Sequence, residues 1–226
     1  MPKTFSIAID GPAGAGKSTI AKRLAQDLGY YYVDTGAIYR TVAYFFDLWQ
    51  INSKDIDAVS RYIDELTLSI EYDEEGNQHM IMNSLDVTGD IRTQDISQKA
   101  SLVSALPVVR ELLLDMQRDV ARRHNVVMDG RDIGTVVLPR ADVKIYLTAA
   151  PEVRAKRRCE ELLEKGQKAN FETVLKEILQ RDKQDMGRSI APLKKASDAV
   201  EVDTSEMNID EVIQEIKRIV GEKVSL

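Results

Sequence analysis

Residues 11–18 read Gly-Pro-Ala-Gly-Ala-Gly-Lys-Ser. An apolar run, residues 4–9, precedes them and reads as a buried strand; apolar residues at helical spacing, Ile20 to Leu28, follow them. A G-x-x-x-x-G-K-[ST] stretch between a strand and a helix is the setting in which a P-loop forms. Each part has a physical use. The glycines let the main chain wrap a phosphate with its N–H groups turned inward. The helix N-terminus adds positive potential. Lys17 can reach β- and γ-phosphates, and the Ser18 hydroxyl suits Mg²⁺. Gly11, Pro12, Ala13, Gly14, Ala15, Gly16, Lys17, Ser18 and Thr19 are therefore the expected cradle for ATP or GTP.

This loop belongs to α/β folds, and the rest of the chain keeps that rhythm. Strands are expected at 30–33, 125–129, 143–149 and 199–203, with helices at 36–49, 53–66, 151–165, 171–186 and 209–220. Two more helices precede residue 125, the second opening at Pro107. Five strands alternating with helices predict a parallel sheet covered on both faces, a three-layer P-loop fold. One region breaks the pattern. Leu66, Leu68, Ile70 and Tyr72 alternate with polar residues, a DEEGN turn follows, and the short runs 78–82 and 85–87 are strand-like. We read 66–92 as a small antiparallel insert within a single domain spanning 1–226, and 152–170 as a helical lid.

The net charge of −6 over 226 residues disfavours a protein that coats nucleic acid. The N-terminus is too short and polar for a signal peptide, and no apolar run nears the roughly 20 residues that span a membrane. The single cysteine, Cys159, cannot form an internal disulfide, which suits the cytoplasm. A soluble cytoplasmic monomer is expected.

What is done with the nucleotide depends on the charges. No guanine-reading N-K-x-D is present, whereas arginines recur near element ends: Arg40, Arg110, Arg131, Arg154, Arg157, Arg158, Arg181 and Arg188. In the helix after Asn170, the residues Phe171, Val174, Ile178, Arg181, Asp185 and Arg188 form one stripe, apolar and then charged. Either the helix end frays into solvent or it runs from the core into an anion-binding cleft. The run Arg154 to Arg158 is either a solvated face or an arginine-bearing lid. Thr35 is a good helix N-cap. It also stands with Tyr39 and Arg40 at the carboxyl edge of the sheet, where ligands bind. In 126–137, Asp129, Arg131 and Asp132 interrupt two apolar runs. A buried strand does not end in charges unless something answers them. Either a surface turn begins there, or Asp129 is the carboxylate that orders Mg²⁺, directly or through water.

The motifs IDGPAGAGKST, DTGAIYR, GDIRTQDIS, DGRDIGTVV, NF followed by RD, and IAPL together resemble the bacterial cytidylate kinases in their long form, over almost the whole chain. The resemblance implies a P-loop nucleoside-monophosphate kinase with a five-stranded parallel core. It implies transfer of phosphate from ATP, with Mg²⁺, to CMP or dCMP. It carries CMP-site roles onto Thr35, Arg40, Ser101, Arg110, Arg131, Asp132, Arg181, Asp185 and Arg188, and Tyr39 joins this expected CMP site from its place at the sheet edge. It makes Lys17, Arg131, Arg157, Arg158, Arg181 and Arg188 the catalytic cations, with Arg157 and Arg158 in the lid, and Ser18 and Asp129 the metal-side oxygens. The acceptor would be a phosphate already ionised near neutral pH, so no general base is needed. His79 and His124 fall in an insert strand and a loop, where structural or surface roles are expected. Arg110 can only donate and Asp132 only accept, which complements the O2, N3 and amine edge of cytosine. Alternatives are a P-loop kinase for UMP, thymidylate or shikimate, and a nucleotide-binding protein without turnover.

Overall fold

The computed structural model describes residues 4–224. The chain runs β1 (Ser6–Asp10), α1 (Lys17–Leu28), β2 (Tyr31–Asp34), α2 (Thr35–Leu48), α3 (Ile56–Tyr62), β3 (Leu68–Tyr72), β4 (Gln78–Met82), β5 (Leu85–Asp86), α4 (Gln94–Val103) and α5 (Pro107–Arg123). It continues through β6 (Val126–Gly130), β7 (Val143–Thr148), α6 (Pro151–Glu164), α7 (Phe171–Met186), β8 (Val200–Asp203) and α8 (Ile209–Val224). Five strands form one sheet in the order β2-β6-β1-β7-β8, and every neighbouring pair is parallel. The P-loop leaves the middle strand, so the cradle sits at the centre of the carboxyl edge.

Side chains alternate across this sheet as the strand period requires. Ala8, Val33, Val126 and Met128 pack on one face with α2, α4 and α5. Ile7, Ile9, Val127, Ile145 and Leu147 pack on the other with α1 and α8. The strands are covered on both sides, as their continuous apolar runs predict. Strands β3, β4 and β5 form a separate antiparallel sheet between α3 and α4. A third, smaller apolar cluster (Ala155, Leu162, Val174 and Ile178) joins α6 to α7.

Several boundaries move from the sequence reading. Helix α1 opens at Lys17 rather than Ile20, because Gly16 in left-handed conformation starts it directly from the loop. The helix expected over 53–66 shrinks to Ile56–Tyr62, started by the Asp55 carboxylate, which accepts from the Ala58 N–H. Thr35 is not the cap of α2. Asp34 takes that place, its carboxylate accepting from the Ala37 N–H at 2.8 Å, while Thr35 opens the helix itself. The stretch after β6 is not plain loop: Ile133–Val137 forms a π-helical turn, closed by bonds such as Leu138 N–H to Ile133 O at 2.7 Å. Phe171, expected at the apolar end of the α7 stripe, is exposed; burial begins at Val174, after the first turn. No helix among the described residues is long and apolar enough to cross a membrane.

Candidate active site

The loop after β1 is shaped by close approach. A Cβ at Gly11 would lie 1.9 Å from the Leu147 carbonyl oxygen of β7, so only glycine lets the chain turn there. Gly16, at φ 84°, occupies the left-handed region and aims the first turn of α1 back at the loop. Lys17 is buried and donates to the Pro12 carbonyl at 2.7 Å, folding its side chain over the loop. Burial, and then the nearby Arg131, hold its pKa well below the usual lysine value, against the pull of Asp129 and Asp10.

Asp129 lies at the end of β6, beside β1, and is buried. Its two oxygens accept from the Ser18 hydroxyl at 3.0 Å and the Tyr32 hydroxyl at 2.9 Å. Burial pushes its carboxyl up to about 6, and Asp34 pushes the same way. Ser18 and Asp129 thus meet, as expected of metal-side oxygens, and the set is hard oxygen only. Such donors fit Mg²⁺, which takes one or two protein oxygens and shares the rest with phosphates and water.

Across the sheet edge lies a cationic cluster. Arg40 comes from α2, Arg131 from the segment after β6, Arg181 from α7, and Arg188 from just beyond α7. The buried Nε atoms of Arg40, Arg181 and Arg188 have no hydrogen-bond partner among the described residues. Buried guanidinium donors are normally satisfied, so three orphans near a fourth arginine leave donors that an anion could answer. The electrostatics agree: burial, then Arg131, Arg40 and Arg188 working against the pull of Asp185, bring Arg181 down to about 10. A dianion placed among these groups would relieve that repulsion.

One carboxylate holds the cluster together. Asp185, buried on α7, accepts from Arg131 Nε at 2.9 Å, from Arg188, and from the Ser101 hydroxyl at 3.4 Å. Burial pushes Asp185 up, but Arg131, Arg188 and Arg181 outweigh it and keep the group below the ordinary aspartate value. Beside it, Arg110 of α5 and Asp132 form a buried ion pair. Arg110 also donates to the Ser104 carbonyl at 3.1 Å and stands 5.7 Å above the Tyr39 ring. The base-reading pair expected from the sequence is therefore contiguous. Tyr39 supports its cation from below. Thr35 reaches elsewhere: its hydroxyl donates to the Asp129 carbonyl at 2.7 Å.

Arg157 and Arg158, the two arginines expected in a lid, are not among these groups. Arg157 donates to the hydroxyl and carbonyl of Thr204, in the loop after β8, at 3.0 and 2.6 Å. Arg158 pairs with Glu161 of its own helix at 2.7 Å. The arginine of α6 that touches the P-loop is Arg154, which the sequence reading places in a run that is either a solvated face or a lid. It is buried and donates to Ala13 O and Ala149 O, both at 2.9 Å, and pairs with Asp182 of α7 at 2.7 Å. Asp10, the last residue of β1, was also missed. Its carboxylate accepts from the N–H groups of Ile133 and Gly134 at 2.8 and 2.7 Å, tying the strand before the P-loop to the segment bearing Arg131 and Asp132. A charge closing an apolar strand was the available signal, the same one that marked Asp129.

Comparison with known proteins agrees with this geometry. The cytidylate kinase family profile matches residues 7–222. A cytidylate kinase of Exiguobacterium sp. (strain ATCC BAA-1283 / AT1b) is 48% identical over 222 residues, covering 98% of this chain and 99% of that protein. A cytidylate kinase of Carboxydothermus hydrogenoformans is 48% identical over 217 residues, with 96% and 97% covered. Among solved structures, an uncharacterized protein from Eubacterium ventriosum superposes with a TM-score of 0.53 at 15% identity, over 97% of this chain and 99% of that one, a likeness of fold alone. With a P-loop, a facing cationic cluster and relatives matched end to end, the chain belongs to the cytidylate kinase family.

Proposed function

We propose that this protein transfers the terminal phosphate of ATP to CMP and dCMP, giving ADP and CDP or dCDP, in the cytoplasm. One observation carries the reading: the arginine cluster with its three orphaned Nε donors faces the P-loop across one sheet edge. Two polyanions must be brought together for such a transfer, and each side of the cleft suits one of them. The family match favours CMP over the UMP, thymidylate and shikimate alternatives. One chain supplies every group named, so a monomer suffices.

The steps follow from the groups present. The P-loop N–H groups and Lys17 hold the β- and γ-phosphates, and these anions would return Lys17 to its charged form. Arg40, Arg131, Arg181 and Arg188 hold the phosphate of CMP. An oxygen of that phosphate attacks the γ-phosphorus as the bond to the β-phosphate oxygen breaks, and the electron pair leaves with ADP. The attacking group is already ionised, because its second pKa is about 6. Arg131, whose charge acts on both Lys17 and Arg181, would with Lys17 neutralise charge on the transferring group. Mg²⁺, held near Ser18 and Asp129 when bound, supplies further neutralisation of the β- and γ-oxygens. Arg110 and Asp132 take the cytosine edge, and Ser101 adds a hydroxyl. Helix α6 and residues up to 170 act as the lid. Arg157 and Arg158 would leave Thr204 and Glu161 on closure and turn to the donor phosphates, excluding water.

The test is a screen of acceptors with ATP and Mg²⁺: CMP, dCMP, UMP, dTMP, AMP and shikimate, with product identified by chromatography. CDP and dCDP should form fastest, with little ATP consumed in the absence of acceptor. Preference for a non-cytidine acceptor, or ATP hydrolysis indifferent to CMP, would overturn the assignment.

A further inference from the structure

Strand β2 is an outer strand of the parallel sheet, paired with β6 on its inner side only. Its other edge should expose unpaired main-chain groups. The antiparallel insert meets that edge with side chains instead of a ladder. Tyr72 and Gln78 are directly opposed on β3 and β4, so both project to the same face. The Tyr72 hydroxyl donates to the Tyr32 carbonyl at 3.0 Å. Gln78, itself buried, accepts from the Asp34 N–H at 2.7 Å and donates to the Asp34 carbonyl at 3.3 Å. Its amide therefore pairs with Asp34 as a strand neighbour would.

Asp34 links that edge to the arginine cluster. One of its carboxylate oxygens caps α2, and the other accepts from Arg40 Nη2 at 2.8 Å. The packing there is tight: a Cβ on Gly36 would stand 3.0 Å from both Arg40 Nη1 and Asp34 Oδ1. With Nη2 held on Asp34, Arg40 keeps an orphaned Nε and lies near enough to Arg181 for their charges to repel. We propose that Gln78 is a positioning residue of the acceptor site. By locking the Asp34 main chain, it orients the carboxylate that aims Arg40 at the phosphate of the acceptor nucleotide. The insert then serves the site through one amide, without touching substrate. This rests on the proposed binding of that phosphate by Arg40.

The experiment is a double-mutant cycle with steady-state kinetics for both substrates. Gln78→Met keeps length and volume but removes both bonds. It should raise KM for CMP about tenfold, the scale of one charged hydrogen bond, while KM for ATP stays within about twofold. In an Arg40→Ala background the same change should add less than about twofold. Tyr72→Phe loosens the insert without touching Asp34, and should lower Tm while leaving KM for CMP unchanged. Asp34→Asn, which keeps the main-chain bonds, should mimic Gln78→Met and carries the test if the latter does not fold. Equal effects of Gln78→Met in both backgrounds, or a KM change in Tyr72→Phe as large as that in Gln78→Met, would overturn the proposal. So would a Gln78→Met variant with lower Tm and normal KM. If Arg40→Ala alone leaves KM for CMP unchanged, the assignment of Arg40 to the acceptor is what fails.

Discussion

The two sides of the cleft, read as a donor and an acceptor side under the proposed function, are built by different means. On the donor side one continuous loop, residues 11–18, presents main-chain N–H groups, with Lys17 and Ser18 at its end. On the acceptor side the groups are all side chains, gathered from α2, α5, α7 and the segment after β6, and the half-buried Asp34 and the buried Asp132 and Asp185 pair with Arg40, Arg110, Arg131 and Arg188. Main-chain donors hold their geometry because the backbone holds it. Guanidinium groups on long side chains lose rotamer freedom when fixed, so each needs a partner. Asp34 for Arg40, Asp132 for Arg110 and Asp185 for Arg131 and Arg188 are those partners. The donor cradle suits any nucleoside triphosphate; the acceptor side, with its paired donor and acceptor beside Tyr39, is where a particular base can be chosen.

If the contrast is right, the largest effect belongs to the one side chain on which the donor side depends. Lys17→Ala should cut turnover at least about a hundredfold in a folded protein, since a preorganised charge on the transferring group is worth several kcal/mol. Near-normal turnover would break the comparison at its root. On the acceptor side the keystone is a carboxylate. Asp185→Asn leaves Arg131 and Arg188 without their countercharge, and kcat/KM for CMP should fall roughly thirtyfold, about 2 kcal/mol of charged hydrogen bonding. KM for ATP should hold, and an equal loss for both substrates would blur the two sides into one. Asp132→Asn adds a donor where cytosine also donates. The CMP-over-UMP ratio should drop about tenfold, because mismatched buried polar groups discriminate strongly. An unchanged ratio would mean that Asp132 braces Arg110 and does not read the base.

A smaller change is expected from Arg157→Ala combined with Arg158→Ala: a severalfold loss in kcat with CMP affinity intact, read by single-turnover kinetics and equilibrium binding. Loss of CMP affinity alone would move these arginines to the acceptor side. The smallest effect lies in the insert. His79 pairs with Asp86 at 2.7 Å and Asp73 at 3.3 Å, and these bonds raise its pKa above 6.5. The stabilisation it brings is fully present below about pH 6.5 and is lost as pH rises through the raised value. Bonds from Asn77 to Asp73 and from Thr88 to Asp86, with a lesser part from His79, hold both carboxyls down to about 2, so the stabilisation they bring is present above about 3.8 and lost as pH falls through about 2. NMR titration should place the His79 midpoint above 6.5. Between pH 5.5 and 8, Tm should fall by roughly 1–2 °C more in the native chain than in His79→Gln, as befits an exposed pair. A midpoint at or below 6.5 would sever the pairing.

The same contrast explains what could be read from the sequence. The P-loop is contiguous, so its chemistry and its setting between strand and helix were legible together. The parallel core was legible too, because β1 and β6 carry apolar runs and β7 holds Val143, Ile145 and Leu147. The acceptor residues could be named from the motifs they resemble, but not their partners. Arg131 and Asp185 lie 54 residues apart, and only the docking of α7 against the sheet edge joins them. Arg154 sits in a charged run that reads equally as a solvated face, and its burial depends on the fold of α7 around Asp182. Thr35 and Asp34 are comparable caps by residue type. The hydroxyl of Thr35 is taken by the Asp129 carbonyl, a strand partner 94 residues away, and the cap falls to Asp34. Gln78 is one polar residue in a strand, and nothing in its neighbours announces that its amide completes another sheet.

The bond from Arg154 to the Ala13 carbonyl has a consequence in time. It braces the P-loop from a helix 141 positions further along the chain. At translation rates of about 5–20 residues per second, that brace leaves the ribosome roughly 7–28 s after the loop it supports. The middle strand has the same wait, since its neighbours β6 and β7 are also made late. A nascent chain that ends before α6 should therefore not retain ATP, although its P-loop is complete in sequence. Nucleotide cannot act as an early folding template for this protein. It can only stabilise a domain whose last third has already arrived.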